Sequence, residues 1–96
     1  MLTWVIYDIT DNKTRNRVIK VCKRYGLYRV QKSVFLGDVN PNELDSLSLE
    51  AEKEIDPDVD SVYIFPMCGS CFGKIKLKGQ AFDKELVSDE ILTKFF

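Results

Sequence analysis

The chain has 96 residues, 45% of them hydrophobic and 11% aromatic, with a formal net charge of −1. That length implies one domain near the small end of the self-sufficient range, and that apolar share excludes an intrinsically disordered chain. No apolar run approaches the roughly 20 residues that span a bilayer, and the N-terminus has neither the basic region nor the cleavage site of a secretory leader, so the three cysteines are expected to be reduced thiols of a cytoplasmic protein.

In chain order, Leu2 to Ile9 is rich in β-branched and aromatic residues and reads as a first strand. Asp11-Asn12 supplies turn and capping chemistry for a helix from Lys13 to Tyr25, whose apolar stripe is Val18, Ile19, Cys22 and Tyr25 and whose stop is Gly26. Tyr28 to Leu36 is a second strand-like run, closed by Gly37-Asp38. Asn40-Pro41-Asn42-Glu43 has the form of a capping box with proline at the first helical position, and Leu44, Leu47, Ala51 and Ile55 continue that helix until Asp56-Pro57-Asp58. Ser61 to Pro66 is a third strand, and the Lys/Ile/Lys/Leu/Lys alternation from Lys74 to Lys78 suits a half-exposed fourth, broken by Gly79. The tail from Gln80 is too apolar, through Phe82, Leu86, Val87, Ile91, Leu92, Phe95 and Phe96, to hang free. An α+β, ferredoxin-like βαββαβ sheet fits this order if the run from Tyr28 to Leu36 bends or splits near Gln31 to Ser33.

Both faces of the central strands are apolar: Leu2, Trp4 and Ile6 oppose Val5, Tyr7 and Ile9, and Val62 and Ile64 oppose Tyr63 and Phe65. Two helices cover one face only. The other calls for a second copy packed sheet to sheet, or for the C-terminal tail folded back over it.

The small net charge conceals polarity along the chain. Residues 1–36 carry eight Lys/Arg against Asp8 and Asp11, whereas residues 37–66 carry nine Asp/Glu against Lys53. On the first helix Lys13, Arg17, Lys20 and Arg24 recur every three or four residues and form a cationic row able to meet phosphates in sequence. Arg15 lies instead at the head of the apolar stripe and points toward the strand ends. The competing reading is a solvated helix face paired with the acidic second helix.

Asp8 is the sharpest feature. Alternation places it on the face of Trp4 and Ile6, at the C-terminal end of the strand, where a carboxylate needs a partner, a metal or the rim. It either caps the following turn or pairs with Arg15, or it meets a second Asp8 across a two-fold axis and holds Mg²⁺ or another divalent cation, with water and phosphate oxygens completing the octahedron. The stretch "YRVQKSVF" sets Gln31, Ser33 and Phe35 opposite Val30 and Val34, as an edge or solvent-facing strand would. The lone "CGSC" at Cys68 to Cys71 is half a zinc site. It follows a strand rather than opening a helix, so it reads as loop thiols, with a redox pair or a subunit-bridging metal as the sharper alternatives. The chain has no histidine, which excludes histidine-based acid–base and nucleophile triads.

"YDITDNKTRNRV", "YGLYRVQKSVF" and "DSVYIFP", in this order and at this spacing, resemble the signature blocks of CRISPR-associated protein 2, the small partner of the CRISPR integrase. The resemblance spans most of residues 3 to 66. It implies a ferredoxin-like fold that dimerises through its sheet, with the last strand, from about residue 80, exchanged onto the partner within a single domain over 1–96. By the same resemblance Asp8 matches the family's metal-binding aspartate, and Arg15, Arg17, Arg29, Ser33 and Phe35 match positions tied to nuclease activity or to the shape of its site. Lys13, Lys20 and Arg24 join Arg15 and Arg17 as nucleic-acid contacts on the basic helix. The implied partners are a second copy, the integrase (CRISPR-associated protein 1), and double-stranded DNA or single-stranded RNA, without a membrane. The implied function is CRISPR adaptation with Mg²⁺-dependent endonuclease activity. The alternatives are a purely architectural DNA-binding scaffold and a small regulatory ferredoxin-like domain.

Overall fold

The computed structural model describes residues 1–76 and Lys78. Its core is strand β1 (Leu2–Asp8), which lies between β3 (Val34–Asp38) and β4 (Ser61–Met67), with β2 (Tyr28–Gln31) outside β3. The order β2-β3-β1-β4, antiparallel throughout, is the ferredoxin-like arrangement the sequence implies. The register sets Val5 beside Phe35 and Ile64, and Ile6 beside Val34 and Tyr63.

The long second run does split. β2 and β3 meet through a turn at Lys32-Ser33, with a register irregularity between Arg29 and Gln31. Helix α1 (Asn12–Arg24) is capped by Asp11, and its chain leaves through Gly26 at φ 76°, a left-handed conformation that glycine adopts without steric cost. Helix α2 (Pro41–Glu54) opens on a complete capping box: Glu43 N–H donates to the Asn40 side chain at 2.8 Å, and Asn40 N–H donates to the Glu43 carboxylate at 3.0 Å.

The helices bury one face of the sheet. Val5, Tyr7 and Ile9 pack with Val18, Val21, Cys22, Leu27, Phe35 and Leu47 in a single cluster. The described residues close the other face only in part. Leu2, Trp4, Val30 and Leu36 are covered by Phe72, whose ring centroid lies 6.1 Å from that of Trp4. Phe72 arrives on a short helix, α3 (Gly69–Phe72), that Cys68 caps by accepting a hydrogen bond from Cys71 N–H. The sequence reading missed α3 and placed the cysteines in a plain loop, because four residues carry no periodicity. Burial of Phe72 is what fixes the turn. Beyond it, Lys74 to Lys76 form a turn and an irregular segment and take up no sheet ladder, unlike the expected fourth strand. The apolar tail from Gln80 lies outside the described residues.

Tyr63 and Phe65 on β4 stay 52% and 47% exposed on this second face, with rings parallel to within 2° and centroids 6.1 Å apart. Phe72 and Ile75 thus cover part of this face, and the fold-back expected of the tail from Gln80 lies outside the described residues. Among the described residues no helix is long and apolar enough to cross a membrane.

Candidate nucleic-acid interface and strand-end carboxylate

Asp8 ends β1 opposite Ser61, and it is exposed. The structural duties that could have occupied it fall to other groups. Asp11 caps α1, accepting from Thr14 N–H at 2.8 Å and from the Thr14 hydroxyl at 2.9 Å, and these hydrogen bonds hold its carboxyl below the usual aspartate range. Arg15 donates to the Ile9 carbonyl at 3.3 Å and to the Asn12 side chain, not to Asp8. Among the described residues no hydrogen bond or ion pair engages the Asp8 carboxylate.

The turn at Lys32-Ser33 is pinned beside this strand end. Tyr7 N–H donates to the Ser33 carbonyl at 3.1 Å. The Lys32 carbonyl accepts from the Tyr7 hydroxyl at 2.9 Å and from Arg29 through Nε at 3.2 Å and Nη2 at 2.7 Å. Burial raises the Tyr7 phenol's pKa, and the Arg29 guanidinium partly offsets that shift. Phe35 is wholly buried against Tyr7, with ring centroids 6.3 Å apart, so it shapes the site from beneath and touches nothing that binds there. The strand end therefore gathers Asp8, the Lys32-Ser33 turn and Arg29, with Arg15 reaching it through Ile9. Sequence reasoning missed Tyr7. Its place in the alternation assigned it to the core, and only the position of its hydroxyl at the core's edge reveals the anchoring role.

The cationic row on α1 is partly engaged. Arg17 Nε lies 3.0 Å from Glu54 and its Nη2 donates to the Thr14 hydroxyl at 3.1 Å, while Arg24 lies 3.8 Å from Glu50. For Arg17 and Arg24 the competing reading, pairing with the acidic second helix, is what the structure has: α2 packs beside α1 and presents its acids to them. Lys13 and Lys20 are exposed and make no ion pair among the described residues. Arg17 consequently faces α2, away from the strand-end cluster.

The carboxylates available set what the strand end can hold. Among the described residues no group of three or more His, Cys, Asp or Glu side chains could cage a metal. Mg²⁺ keeps several waters and needs only one or two carboxylates plus phosphate oxygens. An exposed aspartate with unengaged oxygens fits that demand, and a second copy would double it.

A family model described as CRISPR associated protein Cas2 matches residues 1–75. The chain is 41% identical over 71 residues to the CRISPR-associated endoribonuclease Cas2 of Archaeoglobus fulgidus, a match covering 74% of this chain and 76% of that protein. It is 34% identical over 73 residues to one from Methanospirillum hungatei, covering 76% and 77%. Among solved structures, Streptococcus pyogenes Cas2 superposes with a TM-score of 0.71 at 28% identity, over 82% of this chain and 100% of that one. A hypothetical protein from Thermus thermophilus gives 0.70 at 31%, over 83% and 92%.

Proposed function

The chain belongs to the CRISPR associated protein Cas2 family, and from that membership we propose that it is a homodimeric CRISPR adaptation protein that binds nucleic acid, partners the CRISPR integrase and hydrolyses phosphodiesters at paired Asp8. It works in the cytoplasm as a single ferredoxin-like domain over residues 1–96, with the tail from about residue 80 added to the partner's sheet. The observation that supports this reading best is Asp8 itself: a carboxylate at the tip of the central strand, relieved of capping and pairing by Asp11 and Arg15.

A divalent cation, Mg²⁺ or a close relative, would supply Lewis acidity at phosphorus and an activated water. The chain's own residues bind and orient. Asp8 holds the cation; Arg15 and Arg29 steady the phosphate; the Ser33 hydroxyl donates to a phosphate oxygen. Phe35, through Tyr7, fixes the turn that carries Ser33. Lys13 and Lys20 meet the flanking backbone of single-stranded RNA or double-stranded DNA, and Arg17 and Arg24 join them by exchanging Glu54 and Glu50 for phosphates. The sheet-face interface centres on Ile6, Tyr63 and Phe65.

Asp8→Asn tests the chemistry. Hydrolysis of single-stranded RNA or duplex DNA that requires Mg²⁺ is expected to vanish in the variant while duplex affinity persists. Equal hydrolysis by both proteins refutes a site at Asp8. The architectural reading, a scaffold without catalysis, is favoured by the lack of any cage of three or more His, Cys, Asp or Glu side chains among the described residues and predicts tight, salt-dependent duplex binding with no Mg²⁺-dependent cleavage in either protein. A regulatory domain for a small metabolite predicts no salt-dependent nucleic-acid affinity at all.

A further inference from the structure

Cys68 and Cys71 have no part in the strand-end site. Both are exposed, and their Sγ atoms lie 3.1 Å apart. Cys68 ends the segment that follows β4 and caps α3, so the pair straddles the first turn of the helix that carries Phe72 onto Trp4. The third cysteine, Cys22, is wholly buried in the helix-covered core.

We propose that Cys68 and Cys71 are a redox-active dithiol that closes reversibly to an intramolecular disulfide by exchange with low-molecular-weight disulfides. The two sulfurs need to approach by about 1 Å to reach bonding distance, which a rotamer adjustment within one turn supplies. The roles within the pair differ. The Ser70 hydroxyl, 3.1 Å from Cys68 Sγ, and the Cys71 thiol and N–H all stabilise negative charge on Cys68 and bring its pKa down to about 7, while the same contact raises that of Cys71. Cys68 is therefore the attacking sulfur and Cys71 the resolving one.

In the first step the Cys68 thiolate attacks one sulfur of glutathione disulfide. A mixed disulfide forms and glutathione thiolate leaves. In the second, Cys71 loses its proton to water and attacks Cys68 Sγ, releasing the second glutathione. One disulfide is made and one broken, and two electrons pass from the cysteine pair to glutathione disulfide. The closed form ties the end of the β4 segment to α3 and holds Phe72 over Trp4 and Leu36. Redox state thereby sets how firmly the covered half of the second face is held. None of this depends on Asp8, so the proposal stands or falls apart from the phosphodiesterase reading.

The test uses the full-length protein equilibrated in glutathione buffers of stepped oxidised-to-reduced ratio, acid-quenched, alkylated after denaturation and weighed intact. The expected result is a cooperative loss of two alkylatable thiols, with Cys22 still alkylated and no glutathione retained. Cys71→Ser is expected to stop as a glutathione adduct at Cys68. Cys68→Ser should acquire glutathione at Cys71 at least about tenfold more slowly at neutral pH. Circular dichroism checks that both variants keep the fold. Three free thiols across the whole ratio series, or products confined to glutathione adducts and disulfide-linked chains, would overturn the proposal.

Discussion

The Lys32 carbonyl gives the strand end its shape, and removing the Tyr7 hydroxyl tests that claim. The Tyr7→Phe change keeps the ring against Phe35 and deletes the 2.9 Å hydrogen bond to Lys32. A net hydrogen bond is worth about 0.5–1.5 kcal/mol, and an orphaned acceptor costs more. Here the acceptor keeps both Arg29 donors, so the loss should fall at the lower end, about 0.5–1 kcal/mol, or a Tm drop of roughly 3–6 °C for a domain of this size. Arg29→Ala is cushioned in the same way by Tyr7. The double variant loses every side-chain donor to that carbonyl and should therefore cost more than the two singles together, by about 0.5–1 kcal/mol. Urea titrations of the four proteins, followed by circular dichroism, measure this coupling. The alkaline limb gives a second reading. The buried phenol's pKa is raised in the folded state, so the stability conferred by neutral Tyr7 is complete below the ordinary tyrosine value, about pH 10, and falls as pH rises beyond it. Wild type should lose stability more steeply than Tyr7→Phe above that point. Additive single effects together with equal alkaline slopes would refute the view that this carbonyl anchors the turn.

Cys22 is wholly buried and its thiol's pKa is pushed up to about 12, so stability should decline by as much as about 1.4 kcal/mol per pH unit above roughly pH 9, and a Cys22→Ala variant should lack that component in alkaline urea titrations. Gly37→Ala would set a Cβ 2.7 Å from Leu27 Cδ2 and 3.0 Å from Leu27 Cα, and the backbone atom cannot swing aside; a cost of about 1–3 kcal/mol in the urea midpoint is expected. Glu54→Gln should cost no more than about 1 kcal/mol of stability, because its pair with Arg17 is half-exposed and solvent-screened, yet it should strengthen duplex binding by freeing Arg17. Lys13→Ala and Lys20→Ala should each reduce the slope of log affinity against log salt by about 0.9 in filter-binding titrations, since neither lysine must first leave an acid.

What could be read from the sequence was what local chemistry decides. The Asn40/Glu43 capping box, the Asp11 cap and the Gly26 exit lie within a few residues of the groups they satisfy, and they appear where their chemistry requires. Alternation assigned both faces of β1 correctly and thereby set Asp8 on the side of Trp4. The break in the second strand run was placed to within a residue, because Gln31 to Ser33 interrupts the aliphatic pattern. The misses are contacts between elements. Charge complementarity raised pairing of the α1 row with the acidic second helix, but nothing local to α1 tells that Arg17 and Arg24 are the members that meet Glu54 and Glu50, since those pairs exist only once α2 lies alongside. Nor does the CGSC stretch disclose α3, whose turn is held by Phe72 packing on a residue 68 positions earlier in the chain.

That packing explains why the exposed apolar strip sits where it does. Among the described residues, Phe72 and Ile75 reach Leu2, Trp4 and Leu36 and leave exposed Phe65, which lies beside Trp4 on β4, and Tyr63, which lies beside half-buried Ile6 one step nearer the strand end. Asp8 is two residues beyond Ile6 on the same face, roughly 7 Å along the strand. In the proposed dimer, a second copy seated over Tyr63 about a two-fold axis near this end of β1 would bring its own strand end near the first. In that dimer, burial of Tyr63 and Phe65 would drive association, and the cover by Phe72 and Ile75 would keep the contact off Leu2 and Leu36. Stability and Mg²⁺-dependent hydrolysis should then rise together with protein concentration, since both draw on the same association. A hydrolytic rate per subunit that stays constant across dilution through the dimer dissociation range would separate the two and leave each Asp8 acting alone.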